Sequence, residues 1–231
     1  MSKLGILTRS QATAAILAGQ VSVNSRIVRD PAAPVDLHKA IITVDRTPEN
    51  AVPWRTVLFN KPRGVVTTRH DPEGRPTVYD ALGESGAGLI PIGRMDLASS
   101  GLLLLTTDAA LAEWMTTQDR AGSRVYVVTV RGSVTPEEAS RLEAGVTDGR
   151  DELRATRVTI RKASGRESHL TLELREGKNR EVRRLCESIG HEVTRLKRVS
   201  LGRFELGDLA PGQWREMTRD EVAQCLPGFK V

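Results

Sequence analysis

The chain has 231 residues, 39% of them hydrophobic, enough for a folded core and too many for wholesale disorder. Its net charge is +5 and its pI about 9.5, a balance that favours a polyanionic partner. Cys186 and Cys225 stand far apart, which excludes a disulfide framework and a cysteine-based zinc site, and His38, His70, His169 and His191 are too scattered for a helical metal motif.

Met1 leads into Ser2, Lys3 and Leu4 without a long apolar stretch, so no signal peptide is expected. The longest apolar runs, Ala14 to Ala18 and Leu102 to Leu105, are far too short to span a bilayer. These features predict a soluble cytoplasmic protein with no membrane partner. No coiled-coil seam or apolar patch points to an oligomer, so a monomer is expected.

In chain order, Ser10 is placed to cap a helix with Ala12, Ala15 and Ile16 on one face, and Gly19 to stop it. Val21, Val23 and Ile27 to Val28 suggest a hairpin turning at Asn24 and Ser25, and Ile41 to Val44 another strand. Two prolines and few periodic apolar positions place a linker at residues 47–53, dividing a small domain, 1–46, from a larger one, 54–231. In the larger part the strand candidates are Thr56 to Phe59, Val65 to Thr68, Leu102 to Thr106, Arg124 to Val130, Thr156 to Ile160 and His169 to Leu174. Helices are expected after Asp108, with Leu111, Trp114 and Met115 inward, after Thr135, and near Asn179. Runs of strands with helices beside them, without strict alternation, predict an α+β fold.

The segment Arg175 to Arg203 is strongly basic. In its helix Val182, Leu185, Cys186 and Ile189 share one face, and Arg180, Arg183, Arg184 and Glu187 the opposite one. Ion pairs on a solvated face would account for that pattern. The excess continues into Arg195, Lys197 and Arg198, which fits a phosphate-tracking surface equally well.

The sharpest local feature is Gly93-Arg94-Met95-Asp96-Leu97-Ala98-Ser99-Ser100-Gly101, ahead of the apolar run Leu102 to Leu105. A carboxylate in a Gly- and Ser-rich loop before a buried strand suits a catalytic group, and it equally suits a turn-capping Asp with Arg94 as a surface partner. There is no GxxxxGK[ST] loop, no GxGxxG after a strand and no GxSxG elbow, so nucleotide-phosphate cradles and serine hydrolases are unsupported. Asp151 and Glu152 read as loop solvation and not as a metal site.

GRMDLASSGLLLLTTD (Gly93 to Asp108) resembles the catalytic signature of bacterial ribosomal pseudouridine synthases of the RsuA/RluB/RluE/RluF type. FNKPRGVVTT (Phe59 to Thr68), VYVVTV (Val125 to Val130), EGKNREVRRLCESIGHEVTRLKRVSLG (Glu176 to Gly202) and LGDLAPGQWREMT (Leu206 to Thr218) resemble further blocks of that family, in its order. LTRSQATAAILAGQVSVNSRIVRDP (Leu7 to Pro31) resembles an S-four-type RNA-binding domain, with a shortened first helix. The resemblance implies a pseudouridine synthase domain of mixed antiparallel sheet with flanking helices, plus a small α+β RNA-binding domain.

It also implies a chemistry: cleavage of the ribose–uracil nitrogen bond, rotation of the base and rejoining through carbon 5, with no cofactor, no nucleotide and no metal. By resemblance Asp96 is the essential carboxylate, either attacking the sugar or abstracting a proton towards a glycal. Arg183 is its charge partner, and Tyr126 stacks on the base and serves proton transfer at carbon 5. Leu196 forms an apolar pocket wall or belongs to the core. Arg94, Lys178, Arg180, Arg184, Arg195, Lys197 and Arg198 are expected to contact RNA. The partner implied is ribosomal RNA or an assembling ribosomal subunit, with residues 54–80 leaning towards the large one. The rival reading is a catalytically silent RNA-binding factor for ribosome assembly.

Overall fold

Asn24 and Ser25 both adopt positive φ (49° and 64°), as the central pair of a two-residue hairpin turn must. The computed structural model describes residues 7, 9–36, 40–45, 53–117, 122–149 and 151–229. At the N-terminal end, helix α1 (Arg9–Leu17) precedes strands β1 (Val21–Val23), β2 (Arg26–Ile27) and β3 (Ile42–Val44), which form an antiparallel sheet in the order β2-β1-β3. Ala12 and Ala15 are buried as expected, but the helix begins at Arg9, so Ser10 lies inside it and is not its cap. Most of the linker at 47–53, and His38, lie outside the described residues.

The rest of the chain runs β4 (Thr56–Lys61), α2 (Val78–Leu82), β5 (Ile90–Pro91), β6 (Ser100–Thr106), α3 (Ala109–Thr116), β7 (Arg124–Arg131) and α4 (Pro136–Ala144). It continues with β8 (Val146–Asp148), β9 (Asp151–Leu153), β10 (Arg157–Ala163), β11 (Glu167–Leu174), α5 (Glu181–Ser188) and β12 (Val193–Leu201). It closes with β13 (Phe204–Glu205), β14 (Trp214–Met217) and α6 (Arg219–Cys225). Nine strands form one sheet, ordered β10-β11-β7-β12-β6-β4-β14, with β13 beside β12 and β5 beside β6; β8 and β9 pair separately. Every pairing in the large sheet is antiparallel except that of β12 with β6. The mixed sheet with flanking helices agrees with the α+β expectation.

Alternation along the strands sorts the core. On β4 and β6, Leu58, Leu102 and Leu104 pack towards α3 and α6, while Val57, Phe59, Leu103 and Leu105 pack on the other face against Val78, Leu82 and Met95. Burial on both faces is why this stretch reads as a continuous apolar run and not as an alternating one. A further cluster joins Val128, Leu170 and Leu172 of the sheet to Leu142 of α4 and Val182, Leu185 and Cys186 of α5. Asp108 caps α3 through the backbone amides of Ala110 and Leu111, and Thr135 caps α4 in a reciprocal pair with Glu138, with Pro136 in the first turn.

Val65 to Thr68 is not a strand. Gly64 turns the chain at φ 79°, Val66 makes only an isolated bridge to Thr77, and the Thr67 hydroxyl bonds the backbone of Met95. That side-chain bond ties the segment to the Asp96 loop instead of to a strand. Helices α2 and α6 and the short strands β5, β8, β9, β13 and β14 were not anticipated. Both helices nevertheless carry legible start signals, the capping boxes Thr77–Asp80 and Thr218–Glu221.

Candidate active site

Lys61 ends β4 fully buried, and its ammonium donates to the carbonyls of Pro62 (3.0 Å), Asp96 (3.2 Å) and Ser99 (2.9 Å). Burial pulls its pKa down to about 8, and the Asp96 charge opposes that shift. Asp96 also begins a turn in which the Ser99 amide bonds its carbonyl, while the Gly64 amide bonds the carbonyl of Leu97. Thr67 secures Met95 from the other side. The loop carrying Asp96 is thus fixed by its backbone, and its carboxylate, half-buried, lines a cleft of about 640 Å³.

The cleft opens where β6 and β12 run parallel, with Gly101 opposite Arg198. A side chain on Gly101 would place its Cβ 2.1 Å from the Arg198 carbonyl oxygen, so this close approach requires glycine. Tyr126 of β7 and Leu196 and Arg198 of β12 line the same cleft, together with Arg75, Arg94, Arg124 and the segment 177–182 ahead of α5. Tyr126 is half-buried, and Leu196 is at once a cleft wall and part of the core.

Arg183, expected on the exposed helix face, is buried. Its guanidinium donates to the carbonyls of Val193 (3.0 Å) and Ala98 (3.2 Å), and Nε has no partner. It makes no ion pair with Asp96. It holds the loop two residues beyond, close enough that the Asp96 charge counters the lowering of its pKa by burial and by Arg180. Helical position alone pointed outward; tertiary packing of β12 over α5 reversed it. Glu181, beside it, is buried too, receives the Lys178 backbone amide at 3.1 Å and has its pKa raised by burial.

The expected RNA contacts fall into three groups. Arg94 and Arg180 are exposed on the cleft, Arg180 in the left-handed region at φ 51°. Lys178 lines the cleft but is paired with Glu176 at 2.6 Å, and Arg184 is held by Asp148 and Asp151. The stretch Arg195 to Arg198 is split by strand alternation: Arg195 and Lys197 share a face with Thr129 and Val127, whereas Leu196 and Arg198 turn into the cleft. Arg198 is therefore not a surface phosphate contact. It is 6% exposed, its Nε donates to the Leu102 carbonyl at 2.8 Å, and Nη2 has no partner. Among the described residues no group of three or more His, Cys, Asp or Glu side chains could hold a metal ion.

Residues 55–188 match the model of a family described as RNA pseudouridylate synthase, and residues 1–41 match that of the S4 domain. The chain belongs to the RNA pseudouridylate synthase family. As a member of that family it is an isomerase with an RNA-binding S4 region at its N-terminal end. An uncharacterized RNA pseudouridine synthase of Aquifex aeolicus is 32% identical over 97% of this chain and 90% of its own. Proteins named ribosomal large subunit pseudouridine synthase B are 42% identical in Pseudomonas aeruginosa and 38% in Vibrio cholerae, each over 96% of this chain. The chain spans 59% of the Pseudomonas protein and 71% of the Vibrio one. A crystal structure of a pseudouridylate synthase superposes with a TM-score of 0.67 at 25% identity, covering 97% of this chain and 96% of the other.

Sequence reading of this pseudouridine synthase missed Lys61 and Gly101. The signal for the first was present: a lysine closing the apolar run Val57 to Phe59, directly before Pro62. A cation in that position has to be buried with oxygen ligands or escape the strand. Gly101 carried no such signal, because its requirement comes from a strand 97 residues away.

Proposed function

We propose that this synthase converts uridine to pseudouridine in ribosomal RNA, with the large subunit as the favoured source of substrate. The observation that carries the reading is the meeting of Asp96 and Tyr126 in one cleft, over a loop fixed by Lys61 and Arg183. The names of the Pseudomonas and Vibrio relatives support the substrate class.

In this reading Asp96 is the ionised carboxylate that acts on the nucleotide as the ribose–nitrogen bond breaks. Its half-buried position sets the carboxylate in the wall of the cleft, where an incoming nucleotide meets it. Tyr126 lies against the detached base. After the base has rejoined through carbon 5, the proton on that carbon must leave and nitrogen 1 must gain one, so the atoms balance without redox or phosphoryl transfer. Leu196 supplies the apolar wall and Arg94 and Arg180 the charge facing phosphates at the cleft mouth. The nucleotide must be turned out of its stack to reach Asp96.

The reading also places a domain boundary at 47–53, between the S4 region and a catalytic domain of 54–231, in a cytoplasmic monomer. The test is a pseudouridine map of total ribosomal RNA from cells lacking the gene, complemented with wild type or Asp96→Asn. Loss of a site that wild type restores and Asp96→Asn does not is the expected result. An unchanged map, in ribosomal RNA and then in the other RNAs of the cell, would give the lead to a silent RNA-binding factor.

A further inference from the structure

Much of the positive charge expected to hold RNA near the cleft is already engaged. Arg184 and Lys178 are paired with carboxylates, and Arg183 and Arg198 are buried. Free cations are instead concentrated at the far edge of the sheet. From residue 154 to residue 166 the chain carries Arg154, Arg157, Arg161, Lys162 and Arg166 and not one Asp or Glu. All five are exposed, and none takes part in an ion pair among the described residues. Arg154 alone has a side-chain bond, to the Glu143 carbonyl.

β10 is the terminal strand of the sheet. Val158 and Ile160 pack inward on the core, which turns Arg157 and Arg161 to solvent, and the register shift after Ile160 brings Lys162 out as well. Through the registers Arg157↔Glu173 and Glu173↔Val125, Arg157 lies two strands from β7, roughly 10 Å from the strand that carries Tyr126. The row then runs away from the cleft to Arg166 in the turn before β11. Glu173 faces Arg157 without pairing with it, and Glu167 is taken by His169.

Charges on an edge strand also discourage edge-to-edge pairing. That role does not account for this row. The Val158 amide is already covered by the Glu143 carboxylate of α4 at 2.7 Å, and Arg166 lies in a turn with no strand edge to guard. An unpaired, acid-free line of cations leading away from an RNA-modifying cleft matches the regular phosphates of a polynucleotide.

We propose that the exposed row Arg157, Arg161, Lys162 and Arg166 is a second RNA-binding surface, holding the backbone of a helix that flanks the nucleotide in the cleft. The inference rests on the reading of the chain as an enzyme of large RNA. The row contributes affinity for extended RNA and leaves the reaction at Asp96 untouched.

The experiment combines Arg157→Gln, Arg161→Gln, Lys162→Gln and Arg166→Gln in one chain, with Arg161→Gln/Lys162→Gln as a milder variant. Binding is measured from low to physiological salt on a transcript of the source organism's large-subunit ribosomal RNA and on a short RNA hairpin with a uridine in its loop. The fourfold variant is expected to bind the transcript at least roughly ten-fold more weakly, with the log–log salt slope shallower by about 3. With a stem of only about three base pairs the hairpin is held within about twofold of wild type, because it ends short of Arg161 and Lys162 on β10 and of Arg166 beyond it. Transcript affinity and slope unchanged in both variants, or hairpin binding weakened as much as transcript binding, would overturn the proposal. Pseudouridine formation by wild type in the transcript is read separately, so failure of the enzyme reading shows itself independently.

Discussion

Arg198 and Tyr126 stand opposite each other on adjacent antiparallel strands, both lining the cleft, the arginine buried and the tyrosine half-buried. Burial lowers the Arg198 pKa, and the neighbouring Tyr126 opposes that shift. A buried cation beside the phenol orients it and stabilises negative charge that develops in the cleft during the reaction. Arg198→Met is therefore expected to lower kcat by roughly 10²-fold while RNA affinity stays within about twofold, with Arg198→Lys between the two. Single-turnover rates on RNA labelled with tritium at carbon 5 of uridine read the step directly. A change confined to KM would contradict the assignment.

Lys61 is buried as a cation at an energetic cost. Its folded pKa, about 8, lies below the ordinary value of 10.5. Between those values the unfolded chain binds more protons than the folded one, so stability rises as pH climbs from about 8 to about 10.5. The expected gain is up to roughly 3 kcal/mol. Lys61→Met should flatten that rise in a series of urea melts. It should also leave the carbonyls of Pro62, Asp96 and Ser99 without their donor and lower kcat by at least about ten-fold. Full activity in this variant would show that the loop holds its shape unaided.

Asp71 and Arg75 form a clasp in the segment joining β4 to α2. The Asp71 carboxylate receives the Arg75 amide and two guanidinium bonds, at 2.9, 2.9 and 2.7 Å, which hold its pKa down to about 2. A depressed carboxylate pKa stabilises the fold above the unfolded value of 3.8, and that contribution is lost as pH falls towards 2. Asp71→Asn is expected to lower Tm at neutral pH and to remove this part of the acid dependence. Parallel Tm curves for the two proteins from pH 5 to pH 2 would refute it.

The paired and free cations of the cleft should behave differently towards RNA. Arg184→Gln is expected to change Kd by less than about twofold, because Asp148 and Asp151 already neutralise the side chain. Arg94→Gln and Arg180→Gln should each weaken binding several-fold and reduce the salt slope by about 1. Filter binding at two salt concentrations separates the cases. An Arg184 effect as large as that of Arg180 would mean that the ion pairs open on binding.

The sequence by itself determined the α+β class, the apolar strands, the caps at Asp108 and Thr135, the Asn24–Ser25 hairpin and the loop holding Asp96. Each is a local property: period-two or helical spacing, a capping side chain, or a turn-forming pair. The tertiary structure decided which cations are available. Arg198 was read as a surface RNA contact because it sits beside other basic residues, and helical spacing set Arg183 on the polar face of its helix, yet the packing of β12 on α5, β6 and β7 buries both. Arg195 and Lys197 alternate with Leu196 and Arg198 along β12, and which pair turns into the cleft is fixed only once strand pairing places the strand. Lys61 under the Asp96 loop and Gly101 against the Arg198 backbone depend on residues 35 and 97 positions away. Such contacts leave little trace in a window of neighbouring residues, because burial and charge pairing are properties of assembled surfaces.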